Sequence, residues 1–313
     1  MEFNPVVVRK NSTGVFPPYQ PTLSVPKKYK DIVLEWDLEK HVAVVTLNRP
    51  DVRNALSVTL MEETIDALHM AEEKAEISCV ILRPAGEHFC AGGDFNDFTG
   101  KDLLTQRWYF QIPVEVLQTM LDITVPVIGA VRGAAWAFGC AIAAGCDLTL
   151  ASESAQFCLP GGRVGFGCLS PIVAAYKPVL RKRAFELLVR SEPMSAQWAC
   201  ESGLVNKVVP DEELDKEAWA WAKSIGEHAP LATRWEKQVF NTIQDMEHHK
   251  AYRFGADSIV MNSLTGDGYE GQTAFLEKRK PMWKGRKGGG GRGDMFQPEE
   301  EHRWNVGDEE KKK

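Results

Sequence analysis

The sequence predicts an α/β fold in which a mainly parallel sheet is covered by helices. Short apolar runs alternate with longer segments of helical periodicity between residues 31 and 151. Two of the apolar runs are each followed by a loop of small residues. Of the 313 residues, 44% are hydrophobic and 9% are aromatic, which is enough to bury a sizeable core. Strands that alternate with helices pair in parallel because each crossover returns the chain to the same end of the sheet.

A β-hairpin opens the folded part. Residues 32–36 and 41–47 are β runs, and a polar turn over residues 37–40 joins them. A helix is predicted at residues 57–75, where apolar residues recur at helical spacing and acidic residues stand near the start. The predicted order is therefore strand, strand, helix.

The next part of the chain repeats the order of strand, loop and helix. Strands are predicted at residues 78–83, 126–131 and 147–151, and a helix at residues 103–122. A further helix is predicted to begin within the loop that follows the second of these strands. From residue 184 to residue 283 the pattern is mainly helical, and no repeat of fixed period occurs.

Four segments are predicted from these patterns. Residues 1–30 are rich in proline and form an extended N-terminal arm, and residues 31–225 form the core. Residues 226–285 form a C-terminal helical region for packing or oligomerisation. Residues 286–313 contain a glycine run and mixed charges with few aliphatic side chains, so a disordered tail is predicted.

Composition excludes several classes of function. A formal net charge of -6 gives no overall attraction to nucleic acid or to anionic membranes, and no stretch approaches the ~18 apolar residues of a membrane span. The seven cysteines lack the paired spacings of a metal site or a redox motif. The N-terminus also lacks a basic segment followed by a long apolar stretch. We therefore expect no metal, no nucleic-acid partner, no membrane partner, reduced thiols and a cytoplasmic compartment.

The first small-residue loop, EHFCAGGD at residues 87–94, follows a buried strand. Its adjacent Gly92 and Gly93 permit backbone conformations that point free N–H groups inward. Two interpretations remain open. The loop forms half of an oxyanion hole, or it is a tight turn from strand to helix without a ligand.

The second loop, RGAAWAFGCAIAAGCD at residues 132–147, also follows an apolar strand. Its small residues begin a helix, and the first N–H groups of a helix lack partners and favour an oxygen that gains negative charge. A small-residue helix packed closely under the sheet is the alternative. The presence of both loops after successive buried strands favours the functional interpretation.

Several motifs in order resemble the enoyl-CoA hydratase/isomerase, or crotonase, superfamily across residues 31–285. They are LNRPDVRNAL, HFCAGGDF, the segment of residues 126–147, SAQF, MSAQWACESGLVNKVV and EGQTAFLEKRKP. The resemblance implies a crotonase-like ββα superhelix with a helical C-terminal oligomerisation region. It also implies an acyl-CoA thioester as partner, coenzyme A as part of the substrate with no permanently bound cofactor, and a homotrimer or a dimer of trimers.

The resemblance also assigns roles to individual positions. The backbone N–H groups of Ala91 and Phe138 match the two oxyanion donors, and Gly139 beside the second donor shifts that loop relative to the family pattern. Arg53 and Lys278 match basic positions that contact CoA in relatives. The implied set for substrate and CoA binding is Arg53, Ala55, Ala91, Gly92, Gly93, Asp94, Trp136, Gly161 and Lys278.

The chain departs from the family pattern at the two acids. Ala141 and Gly161 stand where typical hydratases carry glutamates, and neither residue can transfer a proton. We therefore expect a lyase or hydratase/isomerase that acts on an unusual acyl-CoA, such as a β-oxo thioester that undergoes decarboxylation or carbon–carbon cleavage. A hydrolase and a non-catalytic acyl-CoA-binding homologue are the alternatives. Among the remaining polar groups, Arg163 fits a substrate carboxylate or a structural ion pair, and Cys168 is expected to be a buried inert thiol.

Overall fold

The computed structural model describes residues 28–283 and residue 285. The predicted tail at residues 286–313 and most of the predicted arm at residues 1–30 lie outside the described residues. The strands are β1 (Ile32–Asp37), β2 (Val42–Leu47), β3 (Cys79–Pro84), β4 (Val127–Val131), β5 (Ala134–Trp136), β6 (Leu148–Ser152), β7 (Gln156–Cys158), β8 (Met194–Ser195) and β9 (Lys207–Val209).

The α-helices are α1 (Val58–Glu73), α2 (Phe95–Phe98), α3 (Leu103–Asp122), α4 (Phe138–Gly145), α5 (Pro171–Tyr176), α6 (Arg181–Arg190), α7 (Ala196–Ser202), α8 (Leu214–Gly226), α9 (Pro230–Ile243), α10 (His248–Ser263) and α11 (Gly266–Glu277). No helix in the described part of the chain has both the length and the apolar character needed to cross a membrane.

A six-stranded sheet in the order β1-β2-β3-β4-β6-β9 forms the centre of the fold. β1 and β2 pair antiparallel as the predicted hairpin, and each later pair in the sheet is parallel. Every residue of β2 is buried, because helices cover both faces of the sheet. The predicted α/β class is confirmed.

Two helical layers cover the sheet. On one face α8 buries Leu214, Ala218 and Ala222 against the strands, a spacing of four residues that keeps these side chains on one side of the helix. On the other face α1 and α3 enclose the larger core. The helix α1 begins where Ser57 Oγ accepts a hydrogen bond from the N–H of Leu60 at 3.1 Å, a typical N-terminal cap.

A second sheet of three short strands, in the order β5-β7-β8, was not predicted from the sequence. Its strands contain only three, three and two residues, too few to show a period of two. β5 lies within the second small-residue loop, which the sequence analysis had described as loop and helix. This strand fixes the direction in which the chain enters α4.

The C-terminal helices differ in how they contact the core. In α9 the nearly buried Lys237 Nζ donates to the carbonyls of Met120 and Val125 at 2.7 and 3.1 Å and pairs with Asp147 Oδ2 at 2.7 Å. Two further helices follow, and α10 contains no buried residue. The boundary predicted at residue 226 coincides with the end of α8, but α9 is tied to the core.

Candidate active site

The two small-residue loops lie side by side. The N–H groups of Phe89 and Cys90 donate to the carbonyls of Arg132 and Ala134 at 2.8 and 2.9 Å. The N–H of Trp136 donates in return to the carbonyl of Cys90 at 2.9 Å. These bonds join the end of the first loop to β5 as a short parallel ladder. The position of the two loops after successive strands predicted that they act together, and the structure brings them together.

Two glycines allow this close approach. Gly92 has a φ of +102°, and a Cβ built on it would lie 2.8 Å from Ala137 Cβ. A Cβ on Gly139, in the first turn of α4, would lie 2.2 Å from the carbonyl oxygen of Cys90. Any side chain at either position would force the loops apart, since Cβ contacts this short do not occur in folded proteins.

The start of α4 offers unbonded backbone donors. Ala137, with a φ of 51°, turns the chain into the helix, and its own N–H donates to the carbonyl of Cys158 at 2.8 Å. The first backbone bond of the helix runs from Ala141 N–H to Ala137 O at 3.1 Å. Within the described residues, the N–H groups of Phe138 and Gly139 have no acceptor. These are the groups that a helix N-terminus presents to a developing negative charge.

Most backbone N–H groups of the first loop already have an acceptor, unlike those at the start of α4. The N–H of Ala91 donates to the carbonyl oxygen of Arg53 at 2.9 Å, so the predicted first donor is engaged within the chain. The N–H of Gly92 faces the sulfur of Cys90 at 3.4 Å. The N–H of Gly93 has no acceptor among the residues that the structure describes.

A buried asparagine that the sequence analysis did not single out holds this arrangement. Asn54 Nδ2 donates to the carbonyls of Ala85 and His88 at 3.1 and 2.8 Å, and Asn54 Oδ1 accepts from the N–H of Arg49 at 2.8 Å. Asn54 is fully buried, and it ties the segment that carries Arg53 to the first loop. Its place inside the LNRPDVRNAL motif was the available signal.

Asp94 is the last residue of the first loop, and its carboxylate accepts hydrogen bonds from within the chain. Its carboxylate accepts from Arg49 Nη1 at 3.0 Å and from the N–H of Asn96 at 3.1 Å, which caps α2. Burial acts to raise the pKa of Asp94, but these hydrogen bonds leave its pKa below the ordinary value. Asp94 and Arg49 also line a polar cleft of about 540 Å³ together with Asp31 and Asp97. Carboxylates line this cleft, so it does not suit an apolar acyl group.

The main chain fills the space beside Gly161. A Cβ at residue 161 would lie 2.3 Å from the carbonyl oxygen of Phe166 and 2.6 Å from the N of Cys168. The N–H of Phe166 donates back to the carbonyl of Gly161 at 3.1 Å. The other expected acid position, Ala141, is fully buried in α4. In this conformation the site has no room for a carboxylate side chain at residue 161.

Three thiols lie near these two positions. Cys140, Cys158 and Cys168 are buried and close enough to influence one another electrostatically. Burial raises the pKa of all three thiols, that of Cys158 to about 11. A thiol with a raised pKa is a poor nucleophile at neutral pH, which agrees with the expectation that Cys168 is inert. The described residues contain no group of three or more potential ligands arranged for a metal ion.

The predicted charged residues lie at the surface. Arg163 is 58% exposed in its side chain and faces Glu192 at 3.7 Å, so it forms a structural ion pair. Arg53 and Lys278 are exposed, and neither forms an ion pair with a residue that the structure describes. The carbonyl oxygen of Ala55 accepts from Arg49 Nη1 at 2.6 Å. Both exposed cations are therefore available to a phosphate.

Six aromatic rings pack beside the two loops, a feature that the sequence analysis missed. We call this group the aromatic cluster, and it consists of Phe95, Phe98, Tyr109, Phe110, Phe138 and Phe166. Its members come from distant parts of the chain, so no local pattern could indicate it. Nearby, the indole N–H of Trp136 is buried and has no hydrogen-bond partner among the described residues.

The sequence profile of the family described as enoyl-CoA hydratase/isomerase matches residues 37–286, which is most of the chain. The chain belongs to the enoyl-CoA hydratase/isomerase family. This confirms the resemblance to the crotonase superfamily that the motifs indicated.

Individual members of the enoyl-CoA hydratase/isomerase family are similar over most of their length. Enoyl-CoA hydratase domain-containing protein 3 of Danio rerio is 36% identical over 242 residues, which cover 76% of this chain and 83% of that protein. The crystal structure of an enoyl-CoA hydratase of Mycobacterium smegmatis has a TM-score of 0.78 at 34% identity and covers 81% of this chain and 99% of that one. The human enoyl-CoA hydratase domain-containing protein 3 also has a TM-score of 0.78, at 31% identity over 81% of this chain and 100% of the human one.

The prediction of a cytoplasmic compartment was wrong. The similar proteins of Danio rerio and Homo sapiens are named as mitochondrial. The sequence argument failed because free cysteines persist in any reducing compartment. In addition, segments that direct import into mitochondria are amphipathic, so a search for a long apolar stretch does not detect them.

Proposed function

We propose that this chain binds an acyl-CoA thioester and stabilises its enolate where the two loops meet. The observation that carries the proposal is the free first turn of α4, where the N–H groups of Phe138 and Gly139 have no acceptor among the described residues. Donors that are already in place need no reorganisation when the thioester oxygen gains negative charge, and one such donor contributes about 3 kcal/mol. The ladder between the loops joins Trp136, in the segment before α4, to Cys90, the residue that precedes Ala91.

Ala91 supplies the other proposed donor, but its N–H must first become available. In the present conformation it donates to the carbonyl of Arg53. A thioester oxygen must therefore share this N–H with the carbonyl oxygen of Arg53 or displace that oxygen from it. Because Arg53 also carries the side chain proposed to contact CoA, binding of the nucleotide phosphates and release of the donor involve the same residue.

The proposed reaction does not rely on a pair of glutamates. Ala141 carries no ionisable group, and main chain occupies the space beside Gly161. A substrate that carries its own leaving group needs the oxyanion donors and little acid–base assistance. We therefore propose a crotonase-type lyase with one of two substrates. From a thioester with a carboxylate on its α carbon, carbon dioxide leaves; from a β-oxo thioester, water adds to the β-oxo carbon and that fragment leaves as a carboxylic acid. In both cases the electrons of the broken carbon–carbon bond pass to the enolate, which then takes a proton from solvent.

Binding of CoA is proposed to use Arg53 and Lys278, since exposed cations without partners suit phosphate groups. Coenzyme A enters as part of the substrate, and no permanently bound cofactor is proposed. Assembly as a homotrimer or a dimer of trimers is also proposed. It is supported by α10, which contains no buried residue and exposes Ile259 and Val260, a surface that suits burial against another subunit.

A second candidate is an acyl-CoA-binding homologue without catalytic activity. It is favoured by the engaged N–H of Ala91 and by the lack of space for an acid at residue 161. The fold alone does not decide between an enzyme and a binding protein.

The deciding experiment compares two variants at one position. The full chain is incubated with enoyl-CoA, β-oxoacyl-CoA and carboxyacyl-CoA thioesters, and the products are measured by mass spectrometry. Phe138→Pro removes the N–H at the first position of α4, where proline is compatible with a helix, and Phe138→Ala removes the ring but keeps the N–H. Circular dichroism checks that both variants fold.

We expect kcat/KM to be lower by about 100-fold in Phe138→Pro than in Phe138→Ala. Equal activity of the two variants would contradict a catalytic role for this N–H. Tight binding of thioesters by the wild-type chain with no turnover of any of them would leave the binding homologue as the function.

A further inference from the structure

The aromatic cluster borders every segment of the proposed site. A Cβ on Gly93 in the first loop would lie 2.9 Å from Tyr109 Oη and 3.4 Å from the ring of Phe98. Phe138 is the first residue of α4. Phe166 belongs to the segment whose main chain lies against Gly161. An acyl group whose carbonyl lies at the start of α4 therefore extends against these rings.

Neighbouring rings of the aromatic cluster contact one another in geometries that are favourable for aromatic pairs. Phe98 lies 4.9 Å from both Tyr109 and Phe110, measured between ring centroids. Phe110 stacks on Phe138 at 6.4 Å with an angle of 29° between the rings. Phe166 meets Phe110 at 6.3 Å and 66°. Edge-to-face and offset stacking at such distances are the favoured arrangements for aromatic pairs.

The cluster offers no polar group to a ligand. The single hydroxyl in it, Tyr109 Oη, donates to the carbonyl of Leu56 at 2.7 Å and accepts from the N–H of Asp94 at 2.9 Å. The cation closest in sequence to Phe166 is Arg163, which is exposed and faces Glu192. A charged acyl group would lose its hydration against these rings and find no hydrogen-bond donor among them.

Two rings of the aromatic cluster are partly exposed to solvent. Phe166 is 44% exposed and Phe95 is 49% exposed, whereas Phe98 and Phe138 are buried. Phe166 stands between Gly165, which has a φ of +86°, and Gly167. Glycine on both sides lets the backbone change conformation at low cost. Phe166 is thus the ring of the cluster that can move aside for an entering group.

We infer that the aromatic cluster is the acyl-binding wall and that it selects a thioester whose acyl chain beyond the reacting carbons is uncharged and flat, an aryl or conjugated chain, with Phe166 as the residue that determines specificity. This inference rests on the proposed binding of acyl-CoA at the two loops and names the class of acyl group. A flat ring or conjugated chain can stack on Phe110, Phe138 or Phe166, whereas a saturated chain gains only burial of apolar area. The group that reacts is on the α or β carbon, next to the thioester carbonyl, so the inferred acyl class concerns the remainder of the acyl chain.

Isothermal titration calorimetry on the full chain tests the inference with four ligands: cinnamoyl-CoA, hexanoyl-CoA, succinyl-CoA and free CoA. We expect the wild-type chain to bind cinnamoyl-CoA about tenfold more tightly than hexanoyl-CoA and to bind succinyl-CoA no better than CoA. Phe166→Leu should abolish the preference for cinnamoyl-CoA and leave the affinity for CoA unchanged. Phe240→Leu is the matched control, because Phe240 is 61% exposed on α9, and it should keep the preference.

The possible failures are distinct. If no CoA thioester binds more tightly than CoA, the proposed function itself fails. If thioesters bind but cinnamoyl-CoA and hexanoyl-CoA bind equally well, or if succinyl-CoA binds best, the acyl class inferred here is wrong. If the wild-type preference persists in Phe166→Leu, Phe166 does not determine it.

Discussion

The backbone N–H of Ala91 donates a hydrogen bond to the carbonyl oxygen of Arg53 across 2.9 Å. Arg53 and the next residue, Asn54, both adopt left-handed conformations, with φ of 54° and 53°. Such conformations cost a residue other than glycine about 1–3 kcal/mol each and persist only where the surroundings enforce them. The hydrogen bonds of Asn54 to the first loop provide that enforcement. The segment of Arg53 and Asn54 therefore determines whether the N–H of Ala91 is available as a donor.

Replacing Asn54 with alanine tests this relationship. The change removes three side-chain hydrogen bonds and leaves buried carbonyls without a donor, so the free energy of unfolding is expected to fall by about 3 kcal/mol in urea titrations. Asn241→Ala is the control, because the half-buried Asn241 makes one solvent-exposed bond, to the carbonyl of Leu121 at 3.1 Å, and its loss should cost less than about 1 kcal/mol. Similar costs for both variants would show that Asn54 does not hold the loop.

The contact between the loops predicts a severe effect of Gly139→Ala. The new Cβ would lie 2.2 Å from the carbonyl oxygen of Cys90, so α4 must shift, and the free energy of unfolding should fall by about 1–3 kcal/mol. Gly255→Ala in α10 is the control, since nothing lies within 4 Å of its Cβ position. Alanine there should stabilise the chain by about 0.5–1 kcal/mol. A neutral Gly139→Ala would mean that the loops are not packed as described.

Docking of α9 depends on one buried cation. Lys237→Met leaves the carboxylate of Asp147 without its cation, and breaking a buried ion pair of this kind typically costs about 3–5 kcal/mol. The matched change Lys177→Met removes an exposed pair with Asp245 at 2.9 Å, which should cost about 0–1 kcal/mol. Both costs can be measured by urea unfolding monitored by circular dichroism. Equal stability of the two variants would contradict the buried pair.

Thiol reactivity provides a test that depends on pH. Because burial raises the pKa of Cys158 to about 11 and also raises those of Cys140 and Cys168, these groups carry less thiolate at pH 8 than an ordinary thiol. Cys200, which is partly exposed, should therefore react first with iodoacetamide at pH 8, and mass spectrometry of peptides should show the other three modified only in denaturant. Raising the pH should increase the rate at Cys158. Rapid modification of Cys168 in the native chain at pH 8 would contradict its burial.

The larger elements were predicted well from the sequence because they are long enough to show a hydrophobic period. The helix predicted at residues 103–122 has the bounds observed for α3, and the hairpin of β1 and β2 is present. β5 and β8 escaped prediction because strands of two or three residues carry no pattern.

The geometry of the site was less accessible to sequence reasoning. The meeting of the two loops followed from their position after successive strands. The bond from Ala91 to Arg53 could not be foreseen, since it depends on two left-handed residues that are not glycine. The aromatic cluster depends on tertiary contacts among α2, α3, α4 and the segment before α5.

The backbone that covers Gly161 also limits how this site can be altered. A side chain introduced at residue 161 must first displace the carbonyl of Phe166 and the amide of Cys168, so a new acid there requires a new path for the following loop. Conversion to another chemistry by exchange of single side chains is blocked at this position. Protein engineers who want a water-activating carboxylate in this chain must redesign residues 165–168 before they choose the acid.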